Sequence, residues 1–190
     1  MKHELVILAD EFANEAHTSV GQVRKYTGEP YIVHPREVRE ILLKFSTVEV
    51  TPEQEAAALL HDVVEDTKVT IDEVRDRFGD EVATLVSWLT DVSKPSDGNR
   101  RVRKTIDKEH TAAAPTRAKN IKLADLISNT TSIVANDPAF AEVYLKEKVA
   151  LLNVMDDADI GLFVEAHRVL NESILKLEND RLQEALKPKD

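Results

Sequence analysis

Apolar residues recur every three to four positions along almost the whole chain. Leu5, Leu8, Phe12 and Ala16 form one stripe, Val38, Ile41, Leu42 and Phe45 a second, and Leu162, Ala166, Val169 and Ile174 a third. That spacing belongs to helices that pack by one face, and no run of strict alternation competes with it. Start and stop signals agree. Thr51-Pro52-Glu53-Gln54 offers an N-cap threonine, proline at the first helical position and glutamine at the third, and Thr70-Ile71-Asp72-Glu73 reads as a second capping box. Gly79 is expected to end one helix and Asp80 to open the next. Pro and Gly mark interruptions at 24–35, 92–115 and Asn136-Asp137-Pro138. The pattern predicts an all-α fold, a single bundle of about eight to ten helices over residues 1–190. Its core motifs lie at 17–150 and C-terminal helices at 160–186, residues 187–190 are expected to fray, and 92–115 is a long loop of the functional or mobile kind.

Composition narrows the function. The chain has 190 residues, 42% of them hydrophobic, and no cysteine. A domain of this size buries about 70% of its unfolded surface, so it needs no disulfide or structural metal to hold its core. Thiolate metal sites and cysteine nucleophiles are excluded. No stretch approaches the roughly 20 apolar residues of a membrane span, and MKHELVILADEF acquires acids too early for a signal peptide. A cytoplasmic protein without membrane partners is expected. The formal charge of −10 disfavours nucleic acid, but it is unevenly spread. Residues 94–122 carry nine Lys and Arg against three acids, a local +6 that leaves −16 on the remainder. A basic segment on an acidic body suits a small polyanion steered into a pocket.

Reactive types are densest in His61-Asp62-Val63-Val64-Glu65-Asp66, after the apolar Ala56 to Leu60. On a helix, Asp62 shares a face with Glu65 and Asp66, and without a cation the three carboxylates would repel one another. The His-Asp pair could offer a nitrogen and an oxygen to a metal, leaving Glu65 and Asp66 to handle protons. Taken alone, the cluster also reads as a solvated acidic helix end, and His34 in Tyr31-Ile32-Val33-His34-Pro35 as a core histidine. Lys122, Asp125 and Asn129 share one helical face among apolar neighbours. Charges there are expensive unless paired, which a cation at Asp125 and an anion at Lys122 would explain.

The ordered set His34, His61-Asp62 and Asp125 resembles that of the HD-domain metal-dependent phosphohydrolases. More narrowly, the chain from His17 to Tyr144 is similar to the hydrolase domain of the RelA/SpoT family as found in small alarmone hydrolases. The similarity rests on Gln22-Val23-Arg24-Lys25…Gly28-Glu29-Pro30-Tyr31-Ile32-Val33-His34-Pro35, Leu60-His61-Asp62-Val63-Val64-Glu65-Asp66-Thr67 and Lys122-Leu123-Ala124-Asp125…Asn129. The resemblance implies hydrolysis of the 3′-pyrophosphate of guanosine tetra- and pentaphosphate to GDP or GTP and pyrophosphate, with Mn²⁺. It implies His34, His61, Asp62 and Asp125 as metal ligands, and Glu65 and Asp66 as the pair that orients and deprotonates water. It also implies Arg24 stacked on the purine, Lys25 at phosphate, Asn129 near the ribose and phosphate, and Tyr144 near the nucleotide, with Lys122 acting electrostatically. Alternatives are hydrolysis of the adenosine analogues or NADPH, or a catalytically silent nucleotide-binding regulatory domain. Two departures stand out. Leu126 and Thr131 replace family arginines, which puts purine identity in question, and one extra residue lies between Lys25 and Gly28.

Overall fold

The computed structural model describes residues 2–186, so the end at 187–190 lies outside the described residues. Ten α-helices run through it: α1 (Lys2–Ser19), α2 (Val33–Phe45), α3 (Pro52–Leu60), α4 (Val63–Asp66), α5 (Ile71–Phe78), α6 (Asp80–Leu89), α7 (Arg100–Ala113), α8 (Thr116–Asn136), α9 (Pro138–Leu152) and α10 (Ile160–Ala185). Among the described residues the sole β-type pairing is an isolated bridge between Val23 and Pro30. No helix there is long and apolar enough to cross a membrane.

The α8 helix is the centre, packing on α2, α3, α6, α9 and α10. Its buried face includes Ile121, Leu123, Ala124, Leu126, Ile127 and Val134. The α3 helix is buried almost all round, from Ala56 to Leu60, because it lies between α1 on one side and α2 and α6 on the other. The stripes expected on α2 and α10 are present, with Val38, Leu42, Leu162, Ala166 and Val169 buried.

On α1, Leu5, Phe12 and Ala16 of the expected stripe pack on the core, but Leu8 does not. It is 50% exposed, and Val6, Ala9 and Ala13 complete the inward face with Ala16. Small side chains at i, i+4 and i+7 let α1 approach the alanines of α3 closely, and that packing outweighs the bulk of Leu8. Of the two capping boxes, the one at Thr51 closes in both directions, with Gln54 N–H donating to Thr51 Oγ1 and Thr51 N–H to Gln54 Oε1. The second is half formed. Thr70 Oγ1 accepts from Glu73 N–H, whereas the Glu73 carboxylate turns to Arg77. Gly79 does end α5, at φ +88°, a conformation that disfavours any residue with a Cβ.

The segment 92–115 is not a long loop. A 3₁₀ turn at Pro95–Asp97 leads into α7, capped by Asn99 Oδ1, which accepts from Val102 N–H. Periodicity misses α7 because polar bonds hold it. Buried Asp107 accepts from Ser93 N–H and Oγ–H, both at 2.9 Å, Lys104 meets Asp91 at 2.7 Å, Arg100 pairs with Glu147, and His110 stacks on Trp88.

The start of α10 is locked to the end of α2. Asp159 accepts from Thr47 N–H and Oγ1–H and from the N–H groups of Gly161 and Leu162. Gly161 sits so close to this junction that a Cβ would lie 2.1 Å from the Phe45 carbonyl oxygen. Gly161→Ala is therefore expected to cost about 1–3 kcal/mol of stability, read as a lower urea midpoint with an unchanged slope.

Candidate active site

The end of α3, the start of α2 and the middle of α8 meet at one point. Chain geometry puts His61 and Asp62 in the turn between α3 and α4, so the helix expected to continue through them is broken there. The break aims both side chains at α2 and α8. His34 Nε2 lies 3.2 Å from Asp125 Oδ1 and 3.7 Å from Asp62 Oδ2, and His61 Nε2 lies 3.0 Å from Asp62 Oδ2 and 3.8 Å from Asp125 Oδ1. Ligand atoms of His34, His61 and Asp125 all fall within 4.8 Å of one another, and the three residues are buried.

Both rings are held from behind. His61 Nδ1 faces the Ala58 carbonyl at 2.8 Å, so this nitrogen carries the proton. His34 Nδ1 meets Ser128 Oγ at 3.0 Å, and Ser128 donates to Glu37 at 2.7 Å. The two Nε2 atoms are buried and face carboxylate oxygens of Asp62 and Asp125. Imidazole nitrogens converging with two carboxylates fit a divalent cation, and the donor set of two nitrogens and two oxygens suits a hard to borderline ion. The electrostatics agree. Burial alone would lower the pKa of His61, but Asp62 and then Asp125 reverse that and raise it to about 9. Burial likewise opposes ionisation of Asp62 and Asp125, yet the facing histidines, and Lys122 in the case of Asp125, hold both below the usual carboxylate range. The site demands positive charge.

Asp62, Glu65 and Asp66 do line one cavity, but they diverge within it. Asp62 accepts from Tyr31 Oη–H at 2.7 Å. Asp66 accepts from Gln22 Nε2–H at 2.8 Å, and Gln22 Oε1 lies 2.6 Å from His17 Nδ1. Burial lowers the pKa of His17, so its ring is neutral; the proton sits on Nδ1 and fixes the Gln22 amide with its nitrogen toward Asp66. Glu65 accepts from Asp91 N–H at 3.3 Å, and partial desolvation together with the Asp91 charge raises its pKa.

The cavity has a volume of about 690 Å³. Asp62 and Asp125 of the metal-type cluster line it together with these carboxylates, and α7 and α9 contribute Arg100, Lys104, Lys108, Lys146 and Lys148. Lys122 lines it as well, 3.8 Å from Asp125 Oδ2. Its pKa is raised, because Asp125, Asp91, Asp62 and Glu65 together outweigh its burial. Asn129 lines the cavity and donates to Asp125 Oδ1 at 2.6 Å.

Arg24, Lys25 and Tyr144 do not line it. Arg24 stands beside the mouth, 5.9 Å from the ring centre of Tyr31. Lys25 is tied to Asp137 and Tyr26, each at 3.1 Å. Tyr26 also donates to Asp137, so the longer first loop is pinned to the start of α9. Tyr144 is buried in the core, its hydroxyl without a hydrogen-bond partner. Thr131 is turned outward and bonds the Ile127 carbonyl, and Leu126 is in the core. Sequence reasoning did not assign Gln22, Tyr31, Ser128 or Lys148. The first two stood inside a quoted motif, whereas Ser128 and Lys148 carried no signal.

The HD-domain family model matches residues 9–150. The chain belongs to the HD-domain family. Among curated relatives, this HD-domain chain is 40% identical over 128 residues to a guanosine-3′,5′-bis(diphosphate) 3′-pyrophosphohydrolase of Aquifex aeolicus, covering 66% of this chain and 17% of that one. It is 33% identical over 150 residues to the enzyme of that name in Spiroplasma citri, covering 77% and 19%. A probable GTP pyrophosphokinase of Mycobacterium leprae matches at 40% over 126 residues, or 66% and 15%. The HD-domain chain thus spans less than a fifth of the length of these relatives. Among solved structures, it is similar to a metazoan orthologue of SpoT that hydrolyses ppGpp and plays a role in starvation responses. The TM-score is 0.78 at 27% identity, over 88% of this chain and 94% of that one. A Listeria monocytogenes protein matches with a TM-score of 0.61 at 28% identity, over 77% and 99%.

Proposed function

We propose that this HD domain is a Mn²⁺-dependent guanosine-3′,5′-bis(diphosphate) 3′-pyrophosphohydrolase. The observation that carries the reading is the shared lining of the cavity, by Asp62 and Asp125 of a cation-demanding His-His-Asp-Asp cluster and by lysines and arginines of α7 and α9. Its volume falls within the roughly 300–1,000 Å³ range of small-ligand pockets. A polyanion can place its reacting phosphate beside Asp62 and Asp125 and its other phosphates on the cations that share the lining. Relatives and a structural neighbour that act on ppGpp support the choice of substrate.

His34, His61, Asp62 and Asp125 would hold the ion. Once bound, a divalent cation supplies Lewis acidity toward water and a phosphate oxygen. Glu65, not itself one of the clustered donors and with a raised pKa, takes the proton of the attacking water. Asp66, fixed by Gln22 and His17, orients that water. The water oxygen bonds to the phosphorus next to the 3′ oxygen as the bond between those two breaks, and the proton taken by Glu65 passes to the 3′ oxygen, so that pyrophosphate leaves and a 3′ hydroxyl remains. Asn129 contacts the ribose and phosphate, while Arg24 and Lys25 meet the nucleotide at the mouth, the arginine over the purine. The cytoplasm is the compartment that suits such a substrate.

A panel of guanosine tetraphosphate, guanosine pentaphosphate, the adenosine tetraphosphate and NADPH, each assayed with Mn²⁺, tests the reading. Pyrophosphate release from the guanosine nucleotides is the expected result. Faster release from the adenosine nucleotide would move the purine assignment alone, and inorganic phosphate as the product would overturn the reaction.

A further inference from the structure

Three of the lysines and arginines that line the cavity are neutralised, while Arg101, Lys108 and Lys148 have no carboxylate partner among the described residues. Arg100 pairs with Glu147, Lys104 with Asp91 and Lys146 with Glu142. Lys148, on α9 and lining the same cavity, differs from these three. It has neither a carboxylate partner nor a hydrogen bond among the described residues, and its Nζ stands over the face of Tyr144, 5.1 Å from the ring centre. A partly buried ammonium without a counter-ion is unfavourable, and a ring face offsets only part of that cost. Burial, followed by the positive charges of Lys122 and Lys104, lowers its pKa to about 8, against the opposing pull of Asp125 and Asp91. The protein holds a cation in a place that destabilises it, on the wall of a cavity that opens toward the metal-type cluster.

We propose that Lys148 is a phosphate-binding, specificity-determining residue that takes a phosphoryl oxygen of the polyphosphorylated substrate, with Tyr144 as the platform that positions it. The inference rests on reading the cavity as a nucleotide site. It commits to the dianionic phosphate class, because a neutral sugar or base would leave the ammonium as unpaired as before. It also accounts for Tyr144. That side chain serves the nucleotide from beneath, through Lys148.

Lys148→Met and Lys148→Arg in the full chain provide the test, with inorganic pyrophosphate as a direct probe beside substrate kinetics. For Lys148→Met, KM for guanosine tetraphosphate is expected to rise about 10- to 100-fold, the range of one lost charged hydrogen bond, with kcat within about twofold. Its ligand-free Tm is expected to rise, because an unpaired charge has been removed, while the Tm increase produced by pyrophosphate shrinks. Lys148→Arg is expected to restore most of the affinity. A purely structural lysine would instead give Lys148→Met a lower ligand-free Tm with KM and the pyrophosphate response unchanged, and that result overturns the proposal. If the wild type turns over no 3′-pyrophosphorylated nucleotide, the reading of the reaction fails. The pyrophosphate response then still decides Lys148: lost in Lys148→Met it upholds phosphate binding, and equal in both proteins it refutes it.

Discussion

Replacing Asp62 with alanine is expected to abolish Mn²⁺ binding and turnover together while the helical fold persists. Asp62 lies at the break between α3 and α4, with its Oδ2 3.0 Å from His61 Nε2 and 3.7 Å from His34 Nε2. Removing it takes away the carboxylate that contributes most to the raised pKa of His61, so both the ligand count and the negative field fall. Its side chain is not part of the apolar core, and the small helix α4 is anchored by the buried Val63 rather than by the acid. Titration of Mn²⁺ followed by electron paramagnetic resonance, with circular dichroism as the folding control, separates loss of metal from loss of structure. The sign of the pH dependence follows from the same geometry. His61 gives up a proton when it ligates, and in the metal-free wild type it holds that proton up to about pH 9. Apparent Mn²⁺ affinity in the wild type should therefore rise as pH increases toward 9, with a proton released per ion bound, read as buffer-dependent enthalpy in calorimetry. Tight Mn²⁺ binding by the alanine variant would remove Asp62 from the ligand set.

The clustering of this site was legible mainly through the ordered motifs taken together. A histidine among Tyr31, Ile32 and Val33 reads alone as a core residue, and only the resemblance joined it to the aspartate on the apolar face of α8, which the structure brings to 3.2 Å from His34. The helices that pack by large apolar residues, α2 and α10, were equally readable. What stayed hidden was held by contacts between distant residues or by small ones. Alanine contributes little to a periodicity argument, so Leu8 was counted into the buried face of α1 in place of Ala9 and Ala13. The α7 helix is built from Arg100, Lys104 and Asp107 bonding to partners elsewhere, and a pattern of apolar positions cannot register such bonds. The Gln22–Asp66 and Ser128–His34 contacts join residues 44 and 94 positions apart. Lys25 and Tyr144 show the converse. Their motifs suggested direct roles at the nucleotide; the structure shows Lys25 on Asp137, a pair that a phosphate would have to displace, and Tyr144 beneath Lys148.

Glu65→Gln should separate what Asp62→Ala joins, leaving Mn²⁺ bound and lowering kcat by about 10²- to 10⁴-fold, the usual worth of a general base. Glu65 does not belong to the His34, His61, Asp125 group, so the amide leaves those donors untouched. Glutamine keeps the shape and can still accept from Asp91 N–H, the bond that orients the side chain at 3.3 Å. What it loses is the capacity to take a proton. The raised pKa of Glu65 makes that capacity better matched to neutral pH, since a base held nearer the working pH accepts the proton of water more readily while remaining largely ionised. The acidic limb of the wild-type rate profile should accordingly lie above the ordinary glutamate value and vanish from the residual activity of the variant. Asp66→Asn provides the contrast. Asp66 accepts from Gln22, so its amide would place a second N–H donor against the Gln22 nitrogen unless it flips, which perturbs orientation rather than basicity. A Glu65→Gln enzyme with near-normal kcat would transfer the base to Asp66, and the His17–Gln22 pair would then be the device that aims it.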